Sequence, residues 1–362
     1  MTKHILLVAA PLCLLAGGCN NIATTPIEVE SVSFAHPDEI VRGQGFMVLA
    51  DRREFVVMAF RNAVGYDNEA EGQQMHPVRV KVRRMIAENL ANHPEKLKAW
   101  RRYNRTRKLQ SFQYQDYALS LCADYPFRRI RPDGELGYRH TAAILKDFPD
   151  VLNDFWVTVQ LDKVWNEVKA DYIAEINKYD FAKMQRQMAF LWEYLRMERR
   201  DTLTLVNVPN LLETHFHAIG ARYENYYYTV ESPGAHAYGL NVHEYLHSIV
   251  NPLVQAATDG SDEKLLAYYK AGENKAITRS YRNPVTFTFE CLVRALDHRL
   301  RVLLADGPAD KKRAEDRVNY LTEEGLTLTE PFYLLLADYE KSDVSFDKFV
   351  PVMLQSLPEY DQ

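Results

Sequence analysis

The spacing of apolar residues predicts a mostly helical chain with a small sheet. Apolar positions three and four residues apart predict a strongly helical region over 139–200. The same spacing predicts helices over 51–63, 77–92, 239–257, 284–304, 310–321, 329–341 and 345–356. Alternation of apolar and polar residues predicts strands at 28–35, 202–208 and 221–230. The fold class expected is α+β, predominantly α, with a small antiparallel sheet just before the helix at 239–257 and helices at the C-terminus.

The chain carries no internal repeat and no linker rich in proline, glycine and serine. We therefore expect a single large domain over 28–362. Within it, a helical part would extend to about residue 200, a sheet and central helices would occupy 201–304, and further helices would occupy 305–362.

The N-terminus is typical of an export signal. Lys3 precedes an apolar run from Ile5 to Leu15, which is too short to span a bilayer, and small residues then lead to Cys19. This order resembles a bacterial lipoprotein signal, with 1–18 removed, Cys19 lipidated and 19–27 serving as a tether. A plain secretory signal cut nearby is the alternative. The prediction is an exported protein held on a bilayer through Cys19, at the outer membrane or the cell surface.

Composition narrows the classes of function. The 362 residues are 47% hydrophobic with a net charge of −5, which excludes a disordered chain and offers no basic excess for nucleic acid. Beyond the signal and Cys19, the cysteines are Cys122 and Cys291. They could pair in an oxidising compartment or remain free thiols, and the sequence leaves this open.

The strongest chemical signal is the HExxH motif, His243-Glu244-Tyr245-Leu246-His247. On a helix, positions four apart share a face, so both imidazoles can reach one cation. Glu244 sits where its carboxylate can act on water at that cation rather than bind it. Asn241 is a candidate N-cap, and Pro252 is expected to interrupt or bend the helix. An ordinary helix with two histidines is the alternative.

A catalytic zinc site needs a third protein ligand. Val250 and Leu253 occupy the places where metzincins carry glycine and histidine, which excludes that branch. The acidic candidates downstream are Asp259, Asp262, Glu263, Glu273, Glu290 and Asp297. Glu290 is favoured because it interrupts the apolar stripe of a helix, where a buried carboxylate needs a partner. That partner could instead be Arg294, one turn further on.

The segments HEYLHSIVNPL and FECLVRALDHRL, with TLVNVPNLLETHFHAIG and FDKFVPVML, resemble a family of secreted bacterial HExxH lipoproteins with a domain of unknown function. The resemblance extends over roughly residues 50–355 and is gluzincin-like. It implies a zincin-like fold and zinc held by His243, His247 and Glu290, with Glu244 as base. Gluzincins often carry Asp four residues after the ligand Glu. Here that position is Arg294, and Asp297 follows.

The function expected is hydrolysis of peptide bonds in a peptide or protein substrate, with one Zn²⁺ per chain and Glu244 moving the proton. Donors for the oxyanion, or partners of the ligands, are to be found among Tyr238, His236, Tyr281, Arg282, Arg294, Asp297 and His298. Two other classes remain open. One is a non-catalytic surface lipoprotein with this fold, and the other is a zinc hydrolase that cleaves a non-peptide bond.

A second pair of histidines, His215 and His217, alternates along ETHFHAIG and would face one side of a strand. The pair could hold a second metal. An ordinary polar or packing pair is the interpretation that the sequence favours.

Overall fold

The computed structural model describes residues 40–43, 45–66, 74–131, 139–198, 204–215, 218–223, 226–238, 241–305 and 307–360. The predicted signal peptide, the predicted lipidation site Cys19, the predicted tether and the strand expected at 28–35 lie outside these residues, as does His217. The predictions for them remain predictions.

The chain forms two compact units, each assembled from segments that are distant in sequence. Unit 1 contains the residues up to Phe181 together with 204–218 and 230–237. Unit 2 contains residues 182–203, 219–229 and 238–362.

Unit 1 is built on seven helices of the described chain, with strands beside them. The helices are α1 (Arg52–Ala63), α2 (Pro77–Leu90), α3 (Pro94–Arg107), α4 (Ser111–Ala118), α5 (Arg139–Ile144), α6 (Phe148–Thr158) and α7 (Leu161–Ile176). Aromatic side chains form its core, with the ring of Phe60 at 5.3 Å from Phe148 and 5.4 Å from Phe155. Asp51 caps α1 by accepting a hydrogen bond of 2.9 Å from the Arg53 amide.

The sheet of unit 1 is mixed. Strand β1 (Ile40–Gly43) pairs antiparallel with β2 (Phe46–Leu49), with Ile40 opposite Leu49. Strand β2 pairs parallel with β3 (Thr204–Pro209), with Phe46 opposite Leu205. The prediction of a purely antiparallel sheet is therefore wrong for this pair. The long helical connection between β2 and β3 allows a parallel crossover, which a short turn would not.

Unit 2 contains almost all of two strands, β4 (Ala218–Tyr223) and β5 (Tyr226–Glu231), which are neighbours in the sheet. The last two residues of β5 belong to unit 1. The helices of unit 2 are α8 (Phe181–Leu195), α9 (Val242–Ala257), α10 (Glu263–Gly272), α11 (Pro284–Leu303), α12 (Pro308–Glu323), α13 (Thr329–Lys341) and α14 (Phe346–Gln355). Short 3₁₀ turns occur at Ala235–Tyr238 and Ala276–Thr278.

The predicted helices are confirmed to within a few residues, because each carries a continuous apolar stripe. The region 139–200 resolves into α5 to α8. The single strand expected at 221–230 is instead the two strands β4 and β5. The prediction of a predominantly helical α+β protein is confirmed.

Helix α9 carries the HExxH motif. The Asn241 side chain caps it by accepting from the Glu244 amide at 3.2 Å, as the sequence predicts. The helix continues through Pro252 to Ala257. Tyr245 and Leu246 are fully buried, so this face of α9 packs into unit 2, and the motif histidines lie on a more exposed face.

Helix α11 packs against α9 within unit 2 and brings the downstream acids to it. Asn283 caps α11 by accepting from the Thr286 amide at 2.9 Å, and Pro284 occupies its first turn. Glu290 is buried among apolar neighbours on this helix, as its position in the stripe predicts.

Both cysteines of the described chain are free. Cys122 is half-buried and Cys291 is buried, and burial raises the pKa of the Cys291 thiol. Among the described residues, no helix combines the length and apolar character that crossing a membrane requires.

Truncation of Leu246 tests how much the packing of α9 stabilises unit 2. Leu246 has no exposed surface, so Leu246→Ala should lower the free energy of unfolding by about 2–5 kcal/mol. The measurement is equilibrium denaturation. Leu334→Ala, at a side chain that is 61% exposed, is the control and should change stability by less than about 0.5 kcal/mol. Equal effects of the two changes would contradict the packing described for α9.

Candidate metal centre

Three side chains predicted to bind a metal converge in unit 2. The ligand atoms of His243, His247 and Glu290 all lie within 4.8 Å of one another. Nε2 of His247 is 3.4 Å from Glu290 Oε2, and Nε2 of His243 is 3.7 Å from Oε1. Ligands at zinc distances around a tetrahedral centre are separated by about 3.4 Å. The two N–O separations are close to this value, and the group as a whole, which lies within 4.8 Å, would contract on binding one ion.

This triad, His243, His247 and Glu290, is the only group of three such ligands among the described residues. Two other acids considered as ligands have local roles. Asp262 caps α10 by accepting from the Lys264 and Leu265 amides, and Asp259 accepts from the Ser261 amide. Asp259 therefore stabilises the loop, and Asp262 stabilises the start of α10.

The triad is partly open to solvent. The side chains of His243 and His247 are 17% and 20% exposed, whereas that of Glu290 is 6% exposed. The rings stand nearly perpendicular, with an interplanar angle of 89°. Solvent therefore reaches the two imidazoles more readily than the carboxylate.

Asn251 fixes the tautomer of His247. Its Oδ1 lies 3.1 Å from His247 Nδ1, so Nδ1 carries the proton and donates it. Nε2 faces Glu290, and it can bind a cation once it gives up its proton. Asn251 was not among the residues predicted for the site, although its position one turn after His247 on the same helix was a usable signal.

Glu290 is held by two further groups. Arg294 donates from Nε to Oε1 at 2.5 Å, which is the ion pair considered as the alternative to a metal. Tyr281 lies within interaction range of both groups, and burial together with the Glu290 charge raises the pKa of its phenol. The two interpretations are thus compatible, because Oε1 meets Arg294 while Oε2 faces His247.

Asp297 lies two turns beyond Glu290 on α11, and its negative charge acts to raise the pKa of His243. Arg301 donates from Nε to both Asp297 oxygens at 3.0 Å. Burial opposes ionisation of Asp297, but the charges of Arg301 and His243 hold its pKa below the usual value. Asp297 is therefore an ionised acid facing His243, at a different helical position from the one gluzincins favour.

The electrostatics of the triad suit a cation site. Burial lowers the pKa of His243 to about 4, so its imidazole is neutral near pH 7. Burial alone would raise the pKa of Glu290, but the hydrogen bond from His247 and the charges of His243 and Arg294 hold it well below the usual value. The group therefore offers an ionised carboxylate and a neutral imidazole. For His247, the hydrogen bond and charge of Glu290 outweigh burial and raise its pKa.

Glu244 is half-buried and directly follows the first motif histidine. Its charge helps to raise the pKa of His247, so its carboxylate lies within electrostatic range of the triad. It is not one of the three converging ligands.

The remaining candidate donors are not brought to the triad by any described contact. His236 belongs to unit 1, where its Nδ1 is 2.7 Å from Glu175 Oε1. Arg282 is exposed, and only the backbone of Tyr238 is described. Burial lowers the pKa of His298 to about 4, and its buried Nδ1 has no hydrogen-bond partner. In the other pair considered for a metal, His215 meets the Gln74 carbonyl oxygen at 3.1 Å.

The chain matches no family model, no curated protein and no solved structure.

Loss of any one ligand should abolish stoichiometric zinc binding. We expect one Zn²⁺ per chain, and an affinity reduced by more than 100-fold in His243→Ala, His247→Ala and Glu290→Ala, because outer partners alone account for about 10–100-fold. Chelator competition and metal analysis measure this. Glu273→Ala removes an exposed acid and is the control. Full zinc occupancy in Glu290→Ala would show that another residue is the third ligand.

Asn251→Ala tests the outer partner of His247. The variant removes the acceptor that holds the His247 ring and its tautomer. Zinc affinity should therefore fall by about 10–100-fold while the stoichiometry stays at one. Competition titration against a chelator measures this. Asn251→Asp keeps an acceptor for Nδ1 and should retain the affinity. An unchanged affinity in the alanine variant would show that Asn251 does not support His247 as a zinc ligand.

Proposed function

We propose that the protein is a zinc-dependent metallopeptidase of gluzincin-like type. The observation that carries the proposal is the convergence of Nε2 of His243 and His247 on the buried carboxylate of Glu290. Two imidazoles and one carboxylate are the protein ligands of many catalytic zinc sites and leave one position open. The partial exposure of the two rings supports such an open position.

His243, His247 and Glu290 would hold the ion. Bound there, zinc would supply Lewis-acid activation of water and of the scissile carbonyl. Asn251 would keep His247 in the tautomer that presents Nε2. Arg294 and Tyr281 would fix the Glu290 carboxylate, so that the site needs little rearrangement on loading.

Glu244 would be the general base. Its carboxylate would take a proton from the attacking water and then deliver it to the leaving amine. A side chain beside the triad but outside the ligand set suits this role. Tyr281 and Arg294 lie on the Glu290 side of the site, where they would support the ligand. The remaining N–H groups of Arg294 would be available to donate to a polarised carbonyl oxygen.

The proposal includes an anchor on a bilayer through a lipidated Cys19. Its support is the sequence alone, in which an apolar run and small residues precede the cysteine. An exported peptidase would then meet its peptide or protein substrates outside the cytoplasm.

Glu244→Gln tests the proposed activity directly. Zinc-loaded protein is incubated with a diverse peptide pool, and the products are read by mass spectrometry. We expect cleavage by the native chain and a loss of at least about 100-fold in Glu244→Gln, because the amide cannot accept the proton. Zinc content should be unchanged. Glu263→Gln, at an exposed position on α10, is the matched control and should retain full activity.

Zinc binding without cleavage of any peptide would contradict the peptidase. Hydrolysis of a glycan-linked or other non-peptide substrate that still requires Glu244 would then identify a different hydrolase. Absence of all turnover would favour a non-catalytic surface protein that keeps a metal.

A further inference from the structure

Gly220 on β4 leaves a gap that two side chains share. A Cβ built on Gly220 would lie 2.8 Å from Glu244 Oε2 and closer still to the hydroxyl of Tyr227. All three residues belong to unit 2. The phenol of the hairpin and the carboxylate of the motif helix therefore approach one small volume that exists because residue 220 has no side chain.

The Tyr227 ring cannot easily move out of this volume. It is 7% exposed, and its ring packs edge-on against Tyr245 with the centroids 6.1 Å apart. Tyr245 is fully buried and follows Glu244 on α9. The motif helix itself thus fixes the ring whose hydroxyl lies beside the Glu244 carboxylate.

Holding the Glu244 carboxylate in one place has an entropic cost. A half-buried glutamate has three rotatable side-chain bonds, and each hydrogen bond to its carboxylate narrows the set of rotamers that it samples. A phenol hydroxyl can donate one hydrogen bond to a carboxylate, and a donor to an ionised acceptor makes one of the stronger hydrogen bonds in proteins. The pairing of Gly220 on β4 with Tyr227 on β5 is a common one, because an aromatic side chain often covers a strand glycine.

We propose that Tyr227 is a positioning residue for the base Glu244, with its hydroxyl holding the carboxylate over Gly220, directly or through one water. This inference rests on the proposed function for its catalytic meaning. Tyr227 takes no proton and touches no metal in this role. It selects the Glu244 rotamer that lies beside His247, and Gly220 keeps the space in which the two groups meet.

Kinetics of matched variants test the catalytic consequence. Tyr227→Phe keeps the ring and removes the hydroxyl, and Gly220→Ala fills the gap. Both should lower kcat by about ten- to a hundredfold with KM changed less than about twofold and zinc affinity unchanged. Tyr226→Phe removes a hydroxyl from the neighbouring β5 position, whose side chain points to the opposite face, and should leave kcat unaltered.

A double-mutant cycle separates positioning from a structural effect. In the Glu244→Gln background, Tyr227→Phe should cause no further loss, because the group that it positions is already gone. The same loss in both backgrounds, or a kcat of Tyr227→Phe within threefold of the native value, would overturn the proposal.

A spectroscopic test does not depend on turnover. Glutamate labelled at its carboxyl carbon with ¹³C gives a Glu244 resonance that is assigned by its absence in Glu244→Gln. Tyr227→Phe should shift this resonance and Tyr226→Phe should not, in folded, zinc-loaded protein. If the native chain cleaves no peptide, the proposed function fails while the resonance still decides the contact. An unshifted resonance would refute the contact even in an active peptidase.

Discussion

The packing of α11 against α9 places a buried carboxylate opposite two imidazoles that lie one helical turn apart. Glu290 has almost no access to water, so its charge must be balanced by neighbouring groups. Arg294 and His247 provide that balance in the described structure. These two partners set the position of Glu290 before any ion enters. The remaining features of the site follow from that position.

Arg294 has two consequences for a metal at this position. Its hydrogen bond to Oε1 orients Glu290 and keeps it ionised, which favours binding. The same bond draws electron density from the carboxylate, so Glu290 would be a weaker donor than one partnered by a neutral group. A weaker ligand leaves more charge on the ion and makes it a stronger Lewis acid. Asp297 acts in the opposite sense, because its negative charge makes the His243 imidazole a stronger electron donor.

Much of the site could be predicted from the sequence because its decisive spacings are local. His243 and His247 share a face by helical geometry, and Glu290 stands out as an acid in an apolar stripe. The shared volume of Gly220, Tyr227 and Glu244 could not be predicted. It depends on how a hairpin meets a helix, and in sequence Gly220 is an ordinary turn signal and Tyr227 an ordinary strand aromatic. The parallel pairing of β2 with β3 could not be predicted for the same reason, since eight helices of the described chain separate the two strands in sequence.

Two glutamates next to one cation site must be kept chemically distinct, because both are carboxylates of similar intrinsic basicity. The structure separates them by environment. Glu290 is buried and accepts a hydrogen bond from the Arg294 guanidinium, whose charge helps to keep it ionised. Glu244 is half-buried beside a phenol and near His247, where water can reach it. A carboxylate locked in an ion pair is suited to remain a ligand, whereas one that stays wet can accept and release a proton. The different roles proposed for Glu290 as ligand and Glu244 as base thus follow from which helix and which neighbours each glutamate has.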